Sequence, residues 1–335
     1  MPISPPSPTS TRTPWGEGTV LGRARPRAGR TILMLMKLML PISLGVGLLR
    51  WSGLLAAIGG FFAPAMALFH LPGEAAVPLV TGNLAGIYAL VGAMAMLPLE
   101  PAAVTTLAAM TLVAHNLIIE GAVQHRTGTP WWFAVGIRII GMLVVGAIVS
   151  GTIAFLQDRS LPALWLRMPA PPSPPPVPAG ETFAAFLLDW GRGALRLCLK
   201  IVLIVTAMMI VTEWIRARGI LEHLERASRP VLRFLGLSDR VAFPWLTAQI
   251  VGIAFGGGLL LEEMRRREIP AQEVRALHTS IGISHSLFED TVLLVAVGAS
   301  MFWIIVPRVA VAAILVRVIR PWSLGLRRPG SATGS

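Results

Sequence analysis

HTSIGISHSLFEDTVLL, residues 278–294, sets His278, His285, Glu289 and Asp290 inside an otherwise apolar run. Earlier in the chain His115, Asn116 and Glu120 stand in the same setting, and at an offset of 170 His115 falls on His285 and Glu120 on Asp290. The register extends well beyond these residues. At the same offset Leu117 meets Leu287 and Arg138 meets Arg308; before a four-residue insertion in the second half the offset is 166, and there Arg50 meets Arg216, Gly53 meets Gly219, Pro64 meets Pro230, Pro78 meets Pro244, Thr81 meets Thr247, Gly86 meets Gly252 and Gly92 meets Gly258. Leucine pairs arise by chance in an apolar chain. Proline, glycine, histidine, an acid and arginine repeated in one order are an internal duplication.

The rest of the sequence says where such a duplication lives. Of 335 residues 54% are hydrophobic and 14% charged, against about 25% charged in a soluble domain. This is the composition of a membrane protein. The net charge of +12 does not mark a nucleic-acid binder, because Lys and Arg flank long apolar runs rather than lining one polar face. A single cysteine, Cys198, excludes an internal disulfide and a cysteine-built metal centre. No cofactor is expected.

Apolar segments cover 54–69, 75–99, 101–119, 127–157, 196–215, 241–261, 279–295 and 296–319, preceded by a first spanning helix from Thr31. Most reach the roughly 20 residues that cross a bilayer. Glycines near the middle of several, such as Gly82, Gly86 and Gly256 to Gly258, predict broken or re-entrant helices. The expected organisation is a disordered basic tail over 1–30, a first membrane repeat over 31–157, a Pro-rich linker over 158–182 containing PAPPSPPPVP, a second repeat over 183–322 and a disordered tail over 323–335. The fold class is all-α and polytopic.

Arginines at both ends place both termini on the cytoplasmic side. The first helix would then leave the cytoplasm near Arg50, whereas its repeat ends in Arg216, Arg218, Arg226 and Arg229 and should return there. The two copies therefore point in opposite directions. Inverted repeats of this kind build secondary transporters, with the site near the midplane where the copies meet. Inversion requires an odd number of crossings per copy, so one segment of each, 219–235 and its partner 54–69, is expected to lie in the interface.

Ionisable groups at membrane depth cost roughly 2.5 to 3.5 kcal/mol each, and they face a cavity or a partner. His115, Asn116, Glu120, His285, Ser286, Glu289 and Asp290 are accordingly the candidate substrate or ion site. In a continuous helix His278, His285 and Glu289 share a face while Asp290 points elsewhere. His278, His285 and Glu289 are weak metal-ligand candidates, with no HExxH spacing beside them. Arg138 and Arg308 are read as structural, paired with Glu120, Glu289 or Asp290 or caged by carbonyls. Thr81, Asn83, Thr247 and Gln249, beside the Gly-rich breaks, are second-choice site residues.

PVLRFLGLSDRVAFPWLTAQIVGIAFGGGLLLEE (230–263) followed by IGISHSLFEDTVLLVAVGAS (281–300) resembles the nucleoside recognition, or Gate, domain of bacterial membrane proteins similar to spore maturation proteins and to the membrane part of ferrous iron transporters. The resemblance covers most of 196–320 and, more faintly, 31–157. It implies a multi-pass protein of the bacterial inner membrane and of transporter type. A GTP-binding domain like that of the iron transporters is not expected, since no GxxxxGK[ST] loop occurs.

The expected function is secondary transport of a small polar solute, nucleoside-like or ionic, by alternating access with H+ or Na+ as coupling ion, and not enzymatic catalysis. The expected partners are the lipid bilayer, the solute and the coupling ion, with a homo-oligomer through the Gly-rich helices left open. A non-transporting membrane scaffold and an intramembrane metal hydrolase are the competing readings.

Overall fold

The computed structural model describes residues 20–158, 182–218, 220–266 and 269–324. Every regular element among them is helical. The first series comprises α1 (Val20–Trp51), α2 (Leu54–Ala67), α3 (Ala76–Ala85), α4 (Ile87–Met94), α5 (Pro101–Ala114), α6 (Leu117–Arg126) and α7 (Trp131–Asp158). The second comprises α8 (Phe183–Ala217), α9 (Ile220–Leu235), α10 (Ala242–Val251), α11 (Ile253–Arg266), α12 (Ala271–Ser284), α13 (Glu289–Ala296) and α14 (Met301–Leu324). Each series has a short 3-10 turn before its third helix, Gly73–Ala75 in one and Asp239–Val241 in the other.

Element by element the series recur, and so do their breaks. Positive φ occurs at Gly86 and Gly252, at Asn116 and Ser286, and at Gly128 and Gly298, all matched positions. Five stretches are long and apolar enough to cross a bilayer: Thr31–Trp51, Pro101–Arg126, Trp131–Asp158, Phe183–Ile215 and Met301–Arg320. The protein is a helical membrane protein. α12 and α13 correspond to Pro101–Arg126 but carry Gln272, Glu273 and Arg275 in their first turns, which lowers their apolar content.

Three boundaries differ from those read in sequence. α1 starts at Val20 rather than Thr31: the helix formers Leu21, Arg23, Ala24, Arg25, Arg27 and Ala28 carry it through Gly22, Pro26 and Gly29, which favour helix least. α8 starts at Phe183 rather than 196. α14 runs to Leu324. The remainder of the expected basic tail (1–19), nearly all of the Pro-rich linker (159–181) and the expected C-terminal tail from residue 325 lie outside the described residues.

Four helices, α5, α7, α12 and α14, pack on one another and form the centre. Leu107, Met110, Leu112, Val145, Leu277, Ile304 and Val316 are buried there. Close approach depends on missing side chains: a Cβ on Gly141 of α7 would sit 3.2 Å from Ile283 of α12 and Val113 of α5. α1 and α8 pack against each other at the periphery. Exposed Leu195, Leu199 and Leu203 recur every four residues along α8, a lipid-facing stripe.

α3 and α4 fold back on each other about Gly86, which has φ 96° and ψ 178°. A Cβ on Gly82 would lie 3.0 Å from the Cβ of Leu90, so two positions eight apart face one another. This is a helical hairpin rather than a kinked rod. α10 and α11 repeat it about Gly252, with φ 79° and ψ 164°.

Candidate functional site

The site begins with two interruptions. α5 ends at Ala114, His115 is extended (φ −65°, ψ 154°), and Asn116 enters the left-handed region (φ 50°, ψ 34°) before α6 starts. α12 ends in the same way at Ser284, with His285 extended (φ −80°, ψ 172°) and Ser286 at φ 50°. Asn tolerates this conformation well and Ser less so. Each hairpin tip packs on one break: a Cβ on Gly86 would come within 2.7 Å of the Asn116 amide, and one on Gly252 within 3.3 Å of the Ser286 hydroxyl.

Breaking a helix at membrane depth strands backbone carbonyls, and these must find donors inside the protein. Arginines of neighbouring helices supply them. From α7, Arg138 Nε donates to Val113 O at 2.8 Å and Nη2 to His115 O at 2.6 Å. From α14, Arg308 Nε donates to Ile283 O at 3.1 Å and Nη2 to His285 O at 2.8 Å. Both guanidiniums are fully buried. Arg308 Nη2 also reaches Leu112 O of the first series at 3.4 Å, and Arg138 packs across Gly282 of the second.

The interruptions aim their histidines at one point. His115 and His285 lie Nε2 to Nε2 at 3.2 Å with ring centroids 4.7 Å apart. Glu120 Oε1 is 3.5 Å from His115 Nε2, and its Oε2 is 3.1 Å from His285 Nε2 and 2.9 Å from Arg138 Nη1. Asp290 Oδ2 completes the group at 3.4 Å from His115 Nε2. Each imidazole uses Nδ1 on the carbonyl four residues back, His115 on Thr111 O at 3.3 Å and His285 on Ile281 O at 2.7 Å. A carbonyl only accepts, so both Nδ1 atoms donate and both neutral rings direct an Nε2 lone pair at the centre.

Of the residues proposed from sequence, His115, Glu120, His285 and Asp290 meet here. Glu289 and His278 do not. The expected shared face of His278, His285 and Glu289 assumed an unbroken helix; the interruption at His285 rotates α13 relative to α12, bringing Asp290 inward and turning Glu289 toward Tyr88, whose hydroxyl donates to it at 3.5 Å. His278 lies instead between Thr127 Oγ1 at 3.0 Å from Nε2 and Thr129 Oγ1 at 2.6 Å from Nδ1. Among the described residues, the cluster that could hold a metal ion is His115, His285 and Asp290, in place of His278, His285 and Glu289. Asn116 and Ser286 form the breaks themselves. Arg138 pairs with Glu120 as expected, but Arg308 Nη1 has no partner, because Asp290 is one methylene shorter than Glu120.

The second-choice residues divide. Thr81 is satisfied within its own helix, donating to Val77 O at 2.9 Å. Asn83 donates to Met142 Sδ at 3.2 Å but leaves its Oδ1 unpartnered, and the hydroxyl of Thr247 and both amide atoms of Gln249 are buried without partners. Tyr88 and Gln124, whose amide donates to His278 O at 3.4 Å, were not singled out from the sequence. Tyr88 is the one tyrosine in the chain, and a phenol in an apolar run needs a polar partner. That signal was readable.

The four central side chains are buried: His115 3%, Glu120 2%, His285 0% and Asp290 9% exposed. A cleft lined by His70, Glu100, Pro101 and Gln157 opens at one end of the bundle and does not include them.

A bundle of membrane-crossing helices with broken segments around a buried ionic centre defines a polytopic α-helical membrane protein. Residues 32–124 match the family model described as Gate, nucleoside recognition. At the repeat offsets this range corresponds to 198–294, the half in which the resemblance was read most strongly from the residues. Over 301 residues the chain is 28% identical to the "Uncharacterized membrane protein YvoD" of Bacillus subtilis (strain 168), covering 87% of this chain and 90% of that protein. No solved structure matches.

Proposed function

We infer that the protein is a secondary transporter built from two inverted repeats, which moves a small polar solute past the centre formed by His115, Glu120, His285 and Asp290. One observation carries this reading: ionisable side chains from both halves meet within 3.1 to 3.5 Å of each other at paired helix breaks. Groups so costly in a bilayer, placed where two repeats join, are the usual marks of a translocation site. The Gate description of residues 32–124 agrees with a transport role and names nucleosides as one solute class.

Counting supports inversion. With α3–α4 and α10–α11 as re-entrant hairpins and α2 and α9 in the interface, each half crosses three times, through α1, α5–α6 and α7, then α8, α12–α13 and α14. From a cytoplasmic N-terminus this path places Arg126, Arg226, Arg229, Arg240, Arg266 and Arg275 inside, and the uncharged turn 297–300 outside. The positive-inside rule is obeyed by the loops holding those arginines, while the linker between α7 and α8, outside on this path, carries Arg159 and Arg167 against it. Both termini are then cytoplasmic.

The buried, closed centre also suits a second reading, a membrane scaffold with no transport. The unpartnered amide of Gln249 and hydroxyl of Thr247 weigh against it, since a permanently packed interior satisfies its polar groups. The test is thermal-shift screening of purified protein against nucleosides, amino acids and divalent cations, followed by uptake of the hit into proteoliposomes. Uptake is expected to be lost in His285→Ala and Asp290→Asn. Uptake undiminished in both would remove the centre from the pathway, and no uptake of any stabilising solute would favour the scaffold.

A further inference from the structure

We propose that His115 Nε2, His285 Nε2 and the carboxylate of Asp290, with Glu120 beside them, form a binding site for one late first-row divalent cation of the zinc or cobalt type, bridging the two halves. With both Nδ1 atoms committed as donors to Thr111 O and Ile281 O, the two Nε2 lone pairs face each other at 3.2 Å. Among the described residues, the other polar atoms converging on them are carboxylate oxygens at 3.1, 3.4 and 3.5 Å. With both rings neutral, the two Nε2 atoms face each other and the Asp290 carboxylate as acceptors, and Arg138 serves as donor to Glu120 alone. A single proton relieves one of these contacts. A cation at the centre relieves all of them.

The spacings match such a cation. Tetrahedral zinc holds nitrogen and oxygen ligands at about 2.0 to 2.2 Å, which makes the edge of the tetrahedron about 3.3 to 3.6 Å. The His115–His285 separation of 3.2 Å and the His115–Asp290 separation of 3.4 Å lie at or within about 0.1 Å of that range, and Glu120 flanks them with one oxygen 3.1 Å from His285 and the other 3.5 Å from His115. The surroundings are those of a metal site as well: each imidazole donates its other nitrogen to a backbone carbonyl, and Glu120 is itself held by Arg138 Nη1 at 2.9 Å. The two arginines oppose a dication electrostatically and lower its affinity. They do not abolish it, because Glu120 offsets the charge of Arg138 and the Nε and Nη2 atoms of both arginines are turned to carbonyls of residues 112, 113, 115, 283 and 285.

This site is independent of whether the protein transports anything. The experiment uses purified, tag-free full-length protein titrated with Co2+, followed by visible absorption, and with Zn2+, followed by bound metal per chain and thermal unfolding. The expected result is intense tetrahedral d–d absorption saturating at a single equivalent, with a metal-dependent rise in Tm because the ion joins the halves. Both effects should vanish in His115→Ala and in His285→Ala. His278→Ala, outside the cluster, should keep the metal-dependent rise whatever its metal-free Tm, which separates loss of a ligand from loss of the fold. Absence of the absorption in wild type, or a rise that survives in the His115→Ala/His285→Ala double variant, overturns the site. Metal binding with no uptake in liposomes would leave the site standing while ending the transport reading.

Discussion

At the scale of single residues, the two buried arginines perform the same backbone task with different partners. Arg138 satisfies Val113 O and His115 O and also holds Glu120; Arg308 satisfies Ile283 O and His285 O and holds no carboxylate. Removing Arg138 therefore leaves a buried carboxylate with no guanidinium as well as orphaned carbonyls. Arg138→Met is expected to cost about 3 to 5 kcal/mol, the usual penalty for breaking a buried pair from one side. Arg308→Met, which strands carbonyls only, is expected to cost less. Thermal unfolding of both variants in one detergent ranks them, and an equal or reversed order would show that the Glu120 pair contributes nothing.

At the scale of elements, the hairpins and breaks depend on a few backbone conformations. Gly86 and Gly252 both combine positive φ with ψ near 180°, a region essentially confined to glycine, so alanine is strained at either position by about 1 to 3 kcal/mol. Gly86→Ala also drives a methyl group to 2.7 Å from the Asn116 amide, while Gly252→Ala has 3.3 Å to Ser286. The first substitution should lower the unfolding temperature more than the second; the reverse would mean that the tips do not rest on the breaks as described. These glycines were legible in sequence as interruptions, because they recur in register. Which interruption folds back into a hairpin and which opens into an extended break was not. That choice depends on contacts such as Gly82 with Leu90, which lie across the hairpin and leave no periodic trace. The same gap explains the misplacement of Glu289: a seven-and-four spacing has meaning only while the helix continues, and at His285 it stops.

For the whole molecule, duplication is the strongest signal in the sequence, and it singles out His115, Glu120, His285 and Asp290. What it could not supply was the distance between the copies, because side chains separated by 170 residues meet only through tertiary packing. Orientation is tested directly, since Cys198 is the single cysteine. In a Cys198→Ser background, Arg126→Cys and Ala296→Cys mark matched ends of α6 and α13. A membrane-impermeant maleimide is expected to label Ala296→Cys from outside in intact cells and Arg126→Cys only after the membrane is opened. Labelling of both from one side would make the halves parallel and rule out inversion.

One methylene distinguishes the acids at the heart of the two halves. A strictly twofold centre would greet a cation identically from either leaflet; with Glu120 tethered and Asp290 leaving its neighbouring arginine unclaimed, the two approaches are unequal. In an alternating-access cycle that inequality biases which way the empty protein rests, and Asp290→Glu is the substitution that should erase the preference.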